Sequence, residues 1–463
     1  MKKLLLCTLA ALVYAAPAAP QDLSADIRGR IDQGVTEVLA ATGAPGASIA
    51  VVQNGRVVYA HAYGKAQLEN PKSATPEMRY SIGSISKQFT ATAVLLLAEE
   101  GKVSLDDPVS KYVPGTTRGS EITIRQILSM TSGYQDYWPQ DYVMPAMLQP
   151  TTPTQIVAGW ANKPLDFEPG TKWQYSNTNY VIAGMIVEKV AGKPLVDFLN
   201  ERVFRPLKML SVTDIDQAPL GGEDPSRYLR YAMGPPRPAP KEGKGWLSAA
   251  GELAMTARDL AAWDLSIIDQ TVLKPASYRA MQTDTLLKSG AATGYGLGIN
   301  VGMNGGRRVL SHGGEVSGFT ASNQVFPDDR AAIVVLVNMD ATPAPGQIAG
   351  RISSALFAGA ADRDTEEATA QAKKMFEELQ HGRIDRSLLS PNATAYFSAQ
   401  ALADFASSLG PLGAPESFVA NPKFLRGGMA GRTFRIRAGG KSLSLTTFTL
   451  ADGKLEQFQV AAQ

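Results

Sequence analysis

The chain has 463 residues, with 45 basic against 43 acidic side chains, 44% apolar residues, 3 histidines and 1 cysteine. That length supports more than one hydrophobic core, so two domains are expected, and the even charge balance argues against a nucleic-acid or anionic-membrane surface. Scattered histidines and the absence of His-Glu-x-x-His leave no ligand set for a catalytic metal, and no cofactor is expected.

Met1-Lys2-Lys3, the apolar run from Leu4 to Ala16 and the small residues Ala16-Pro17-Ala18 have the layout of a secretory signal peptide cleaved near Ala18. A secreted or periplasmic location is therefore expected. The run is too short for a permanent membrane span, and no later stretch reaches about eighteen uninterrupted apolar residues. Cys7 lies inside the signal, so the mature chain is expected to form no disulfide.

From Leu23 to Ala41 the apolar residues recur at helical spacing. Ala47 to Gln53 and Arg56 to Tyr63 read as strands joined at Asn54-Gly55, a strong two-residue hairpin turn, with His61 as an ordinary strand histidine. Next comes Ser84-Ile85-Ser86-Lys87, followed from Phe89 by an Ala- and Leu-rich run that reads as a buried helix ending near Gly101. Ser84 then sits at the helix N-terminus, and Lys87, three residues on, shares its face. A serine hydroxyl is a weak nucleophile until a base removes its proton, and a lysine becomes that base once burial lowers its pKa. Alone, Ser-x-x-Lys is expected about once or twice by chance in such a chain, and it reads equally as an N-cap followed by a solvated lysine.

The stretch Ile122 to Gly133 reads as a capped helix ending at a glycine, and the aperiodic, aromatic-rich stretch Tyr134 to Pro153 as cover for a cleft. Phe167 to Tyr180 is a turn-rich loop entering a helix over Val181 to Val190. It holds Tyr175-Ser176-Asn177, where a phenol is suited to proton transfer and a carboxamide to clamping a substrate amide. The same residues read equally as a loop tyrosine beside a helix-capping Asn. Thr256 caps a further helix. Tyr295 to Val301, Arg308 to Gly314, Gly318 to Phe326 and Ala331 to Val337 read as successive strands, followed by a helix over Gly346 to Phe357. His312-Gly313-Gly314 lies on one of these strands. Its glycines let a ligand approach the backbone, and its histidine can offer a positive or donor group to a substrate carboxylate. Lys288 is the competing cation, set aside because it falls in a loop before a strand.

Ser84-Ile85-Ser86-Lys87, Tyr175-Ser176-Asn177 and His312-Gly313-Gly314, in that order, resemble the penicillin-recognising serine hydrolases in their class C β-lactamase, D-alanyl-D-alanine peptidase, aminopeptidase and esterase branch. Thr131-Ser132-Gly133 and Pro169-Gly170-Thr171 resemble recurring turns of that family, and the likeness covers residues 25 to 358. The resemblance implies an α+β, β-lactamase-like fold with a five-stranded antiparallel sheet flanked by helices, an all-helical region beside it and the site between them. It implies that Ser84 attacks a carbonyl and that Tyr175 is the general base with Lys87 holding its pKa down. Asn177, His312, Gly313 and Gly314 would bind substrate, and the backbone N–H groups of Ser84 and Glu315 would hold the oxyanion. His312-Gly313-Gly314 stands where β-lactamases carry Lys-Thr-Gly, a form closer to the peptidase and esterase members, which weighs against efficient β-lactam hydrolysis.

Domain bounds of 19–360 for the hydrolase, 361–369 for a charged linker and 370–463 for a small α+β domain are expected. The last region reads as helices over Ala370 to Leu379 and Ala399 to Leu409, then strands near Glu416 to Leu425, Arg432 to Arg437, Ser442 to Leu450 and Leu455 to Val460. It resembles the nuclear-transport-factor-2-like fold and holds no chemical constellation, His381 reading as solvated. The expected partner is a small molecule or short peptide. The competing readings are a sensor that acylates without turnover and an inactive assembly protein.

Overall fold

The computed structural model describes residues 23–140, 142–357, 363–421, 423–427, 429–450 and 452–462; the expected signal segment, with Cys7, lies outside them. The described chain divides into two compact units, residues up to 300 with 311–352, and residues 301–310 with those from 353 onward.

The first unit opens with helix α1 (Ala25–Thr42), started by the Ser24 hydroxyl, which accepts the Ile27 N–H, and closed by Gly43 in the left-handed conformation. Strands β1 (Gly46–Gln53) and β2 (Arg56–Gln67) form the predicted hairpin about Asn54-Gly55, both with positive φ. Helix α2 (Ser86–Glu99), the short α3 (Ile124–Leu128), α4 (Asn177–Ala191) and α5 (Ala257–Asp269, capped by Thr256) follow. Strands β3 (Arg307–Val316, of which 311–316 belong to this unit), β4 (Phe319–Phe326) and β5 (Ala331–Val337) and helix α6 (Ala344–Phe357, of which 344–352 belong to it) come last.

The expected five strands lie in the order β2-β1-β5-β4-β3, extended by the short strand Lys72–Ser73 beside β2 and by Asn300–Asn304 beside β3. Pairing is antiparallel from β2 through β1 and β5 to β4. All of β5 is buried, since it lies mid-sheet with α5 packed across it and β1. On the helical side, α2 packs against α4. The architecture is α+β and β-lactamase-like, as the resemblance implied.

Two local expectations change. The helix over Ile122 to Gly133 is confined to α3, started by a reciprocal capping box between Thr123 and Gln126. Met130 turns left-handed at φ 62 and the Thr131 N–H returns to the Gln126 carbonyl, so the chain leaves the helix before Gly133. The expected strand at Tyr295 begins only at Asn300. Before it, Gly298 takes φ 79 where a Cβ would lie 2.9 Å from the Lys87 carbonyl oxygen, which holds this coil against α2.

The second unit has helices α7 (Arg363–Gln380) and α8 (Ala399–Leu409) and the antiparallel strands β6 (Met429–Ala438), β7 (Lys441–Thr449) and β8 (Leu455–Ala462), with Ser417–Ala420 pairing on β6. Residues 363–369, expected as linker, form the first turns of α7; this charged stretch holds no glycine or proline to break a helix. An apolar cluster is built from Met375, Phe376, Leu379, Phe397, Phe434 and Leu445 among others, with Ser390, Arg432 and Thr447 also buried in this unit.

Candidate active site

Within the first unit a cleft of about 1010 Å³ is lined by Ser84, Tyr175, Asn177, His312, Gly313, Gly314 and Glu315, joined by residues of the 136–143 loop. Residues predicted from three distant stretches thus meet on one wall.

Ser84 does not lie in the helix proper. It occupies a 3₁₀ turn, Gly83–Ile85, that leads into α2. Gly83 has φ 50, and a Cβ there would come within 2.7 Å of the Glu315 backbone nitrogen. A Cβ on Gly314 would lie 1.9 Å from the Ile82 carbonyl oxygen. Both positions therefore require glycine, and the reward is that β3 runs close beside the turn that carries the nucleophile.

Lys87 is 0% exposed. Its Nζ lies 2.7 Å from Ser84 Oγ and 2.8 Å from the Ala250 carbonyl oxygen, with the Tyr175 and Tyr180 rings at 5.0 and 5.7 Å. Burial lowers its pKa to about 7, against the opposing pull of Asp136. A large share of the amine is then neutral near pH 7 and able to accept the Ser84 proton.

Tyr175 hydrogen-bonds Ser84, yet burial is the larger influence and pushes the phenol up despite that bond. Burial therefore acts oppositely on the two groups, lowering the Lys87 amine and raising the Tyr175 phenol. Tyr175 stays a phenol because burial disfavours the phenolate and the Asp136 charge adds to that cost.

Asn177 is the first residue of α4, whose N-cap Ser176 makes no side-chain cap bond. Asp136, from the loop after α3, supplies it instead. Its Oδ1 accepts the Asn177 N–H at 3.0 Å and the Trp138 N–H at 3.1 Å, and its Oδ2 accepts Asn177 Nδ2 at 3.2 Å. Sequence reading missed Asp136. Its only signal was position, a carboxylate three residues past Gly133 at the start of the cleft-covering loop.

His312 is 5% exposed, and Nε2 lies 3.0 Å from the Tyr295 hydroxyl. Nδ1 bonds the Gly313 carbonyl oxygen, which can only accept, so Nδ1 carries the proton and Nε2 receives one from Tyr295. Burial and the neighbouring Lys87 lower its pKa to about 4. Of the two forms expected, a positive or a donor group, burial favours the neutral imidazole. Among the described residues the cleft wall holds the carboxylates of Asp136, Glu315 and Asp340 but no lysine or arginine.

The 134–153 stretch covers the cleft as predicted. The Trp246 indole N–H donates to Gln149 O at 2.7 Å, Gly243 N to Met147 O at 2.7 Å and Thr151 N to Lys244 O at 2.8 Å, tying it to the 243–246 loop. His61 stacks between Tyr59 and Tyr63 on β2, Lys288 is exposed in its loop, and neither lines the cleft. His381 accompanies the Glu377 carbonyl at the end of α7 in the second unit.

The model of the family described as Beta-lactamase matches residues 31–356. The D-aminopeptidase of Brucella anthropi is 30% identical over 305 residues, covering 64% of this chain and 56% of that protein. The D-aminopeptidase of Brucella canis is 30% identical over 307 residues, covering 64% and 57%. This chain thus spans little more than half the length of the curated relatives it matches. Among solved structures, a D-stereospecific amidohydrolase from Streptomyces sp. is 29% identical with a TM-score of 0.62, covering 72% of this chain and 99% of that one. The octameric penicillin-binding protein homologue from Pyrococcus abyssi, 22% identical with a TM-score of 0.63, covers 94% of this chain and 99% of its own, a likeness of fold alone.

Proposed function

Because the chain belongs to the Beta-lactamase family, we propose that it is a serine hydrolase that forms an acyl-enzyme on Ser84 and cleaves the amide of a small D-amino-acid derivative with a free amine. The observation that carries this reading is the 2.7 Å approach of the Lys87 amine to Ser84 Oγ, with that amine held near neutrality. Lys87 takes the hydroxyl proton as Oγ bonds to the carbonyl carbon, and the C=O electron pair becomes an oxyanion facing the backbone N–H groups of Ser84 and Glu315. As the C–N bond breaks, the Tyr175 phenol gives its proton to the departing nitrogen and regains one from Lys87. Water, deprotonated through the same pair, then attacks the ester and releases the acid.

The substrate class follows from charge. Asp136, Glu315 and Asp340 line the cleft, the Lys87 amine beside Ser84 is held near neutrality and His312 is neutral, a balance that favours an ammonium over a carboxylate. The D-aminopeptidase relatives point the same way. The secretory-type segment ending near Ala18 supports a proposal that the activity is exported.

The test is turnover of D- and L-alanine p-nitroanilide, N-acetyl-D-alanine p-nitroanilide, p-nitrophenyl acetate, a D-alanyl-D-alanine peptide and nitrocefin, with Ser84→Ala as blank. Hydrolysis of the free-amine D-anilide, weakened by N-acetylation and lost in the blank, is expected. Equal activity in the blank sinks the hydrolase reading, and preference for the carboxylate-ended substrates sinks the amine assignment.

A further inference from the structure

We propose that Asp136 is a positioning residue of this site: its carboxylate holds the Asn177 carboxamide with the oxygen turned to the cleft and supplies the negative charge facing Lys87. This rests on the hydrolase reading above and assigns a role to a residue outside the serine, lysine, tyrosine and asparagine motifs.

The argument starts at the end of α4. A helix of 15 residues presents unpaired N–H groups and a partial positive charge at its N-terminus. Here the N-cap side chain leaves them unserved, and the Ser176 hydroxyl is itself buried without a partner among the described residues. Asp136 reaches across from another loop and accepts the first N–H of the helix. A capping residue supplied from 41 positions away fixes the loop after α3 to the start of α4.

The second bond carries the functional content. An ionised carboxylate only accepts, so the Asn177 atom 3.2 Å from Asp136 Oδ2 is the amide nitrogen. The carboxamide is thereby set with its oxygen directed away from Asp136, and Asn177 lines the cleft. That oxygen is an acceptor for a substrate N–H. Without the carboxylate, the amide is free to turn and present its nitrogen, which repels the same donor.

The third element is charge. Asp136 acts on Lys87 in the direction opposite to burial, and Lys87 acts likewise on Asp136. The other titratable groups facing this pair are Tyr175, Tyr180, Tyr137 and His312. The tyrosines are pushed upward by burial and the imidazole is neutral, so Asp136 is the charged group that sets the ammonium fraction at Lys87.

Asp136→Asn separates these contributions from mere capping, because Asn caps helices as well as Asp. The expected result is an unchanged melting temperature and a kcat on the D-anilide lower by about tenfold to a hundredfold. The rate at which a fluorophosphonate labels Ser84 should also keep its sigmoidal pH dependence with the midpoint moved to lower pH. Asp136→Glu, which restores the charge, should bring that midpoint back. Should the Asn variant not fold, Asp136→Ser, neutral but still an acceptor, gives the same reading. Superimposable labelling profiles for wild type and the neutral variant, with kcat within twofold, overturn the inference while leaving the hydrolase reading intact. A wild-type protein that never labels at Ser84 overturns both.

Discussion

Helices α2 and α7 are of comparable length and follow opposite rules of burial. In α2 every residue from Ser86 to Leu97 is buried, including Lys87, Gln88, Thr90 and Thr92. In α7 the buried positions are Ala372, Met375, Phe376 and Leu379, a single apolar stripe at spacings of three and four. Enclosing polar groups is costly unless each finds a partner, and α2 meets that cost with distant ones. Thr90 donates to the Ala249 carbonyl, Lys87 reaches that of Ala250, and Gln88 accepts from the Trp263 indole. The accounting is incomplete: Gln88 Nε2, Asp264 Oδ2 and Asn323 Oδ1 have no hydrogen-bond partner among the described residues. The second unit also buries polar groups, Ser390, Arg432 and Thr447 among the described residues, but they lie beside an apolar cluster and not along one helix.

Lys87→Met breaks this contrast most severely. It removes the buried amine from α2, and activity on the D-anilide should fall on the order of a thousandfold or more with melting temperature maintained. In the wild type the same lysine predicts that kcat/KM rises as pH climbs through about 7, since the protonated amine below that value is no base. His312, with its pKa lowered to about 4, should add no limb between pH 5 and 8. A pH–rate profile checks both statements.

On the other side of the comparison, Phe376 packs edge-on against Phe418 in the apolar core of the second unit. Phe376→Ala should cost about 3–5 kcal/mol by calorimetry or denaturant titration of that unit, with kcat per folded molecule unchanged. A matching loss of kcat would show that the two units are functionally coupled.

Asp264 sharpens the contrast on a smaller scale. It is 0% exposed, and burial raises its pKa well above the ordinary 3.8, with the Asn323 amide donating to its Oδ1 at 2.7 Å. A folded-state pKa above the unfolded one means the native state holds the proton longer. Its contribution is full below the unfolded pKa and is lost as pH rises toward the folded value. Asp264→Asn should therefore flatten the decline in stability as pH rises above the ordinary carboxyl range, read as melting temperature from pH 5 to 9. The smallest expected effect is that of Lys288→Ala, an exposed loop residue outside the cleft, with kcat/KM within about twofold of wild type.

Much of this was legible along the chain because its signals are local. Short apolar and β-branched runs marked β1, β2, β4 and β5, Asn54-Gly55 marked a hairpin, and Thr256 marked a helix start, each set by interactions spanning a few residues. The candidate site was legible as three short motifs whose order, rather than any single member, pointed to one chemistry. The misreadings arose where a distant segment overrode local preference. Gly133 lies past the helix it was expected to end, because Met130 turned the chain first; a Cβ on Gly133 would sit 2.4 Å from the Phe167 carbonyl oxygen, which explains why a glycine is there.

Sequence by itself determined the family, the order of elements and the identities of Ser84, Lys87, Tyr175, Asn177 and His312, since residue type and short-range spacing carry that information. Tertiary structure decided that Lys87 and Tyr175 are buried together beside Ser84, that burial lowers the His312 pKa, and that Asp136 lines the same cleft and bonds Asn177. These are properties of burial and of neighbours brought from afar, and a pKa or an amide orientation depends on the dielectric and partners that only folding assembles around it.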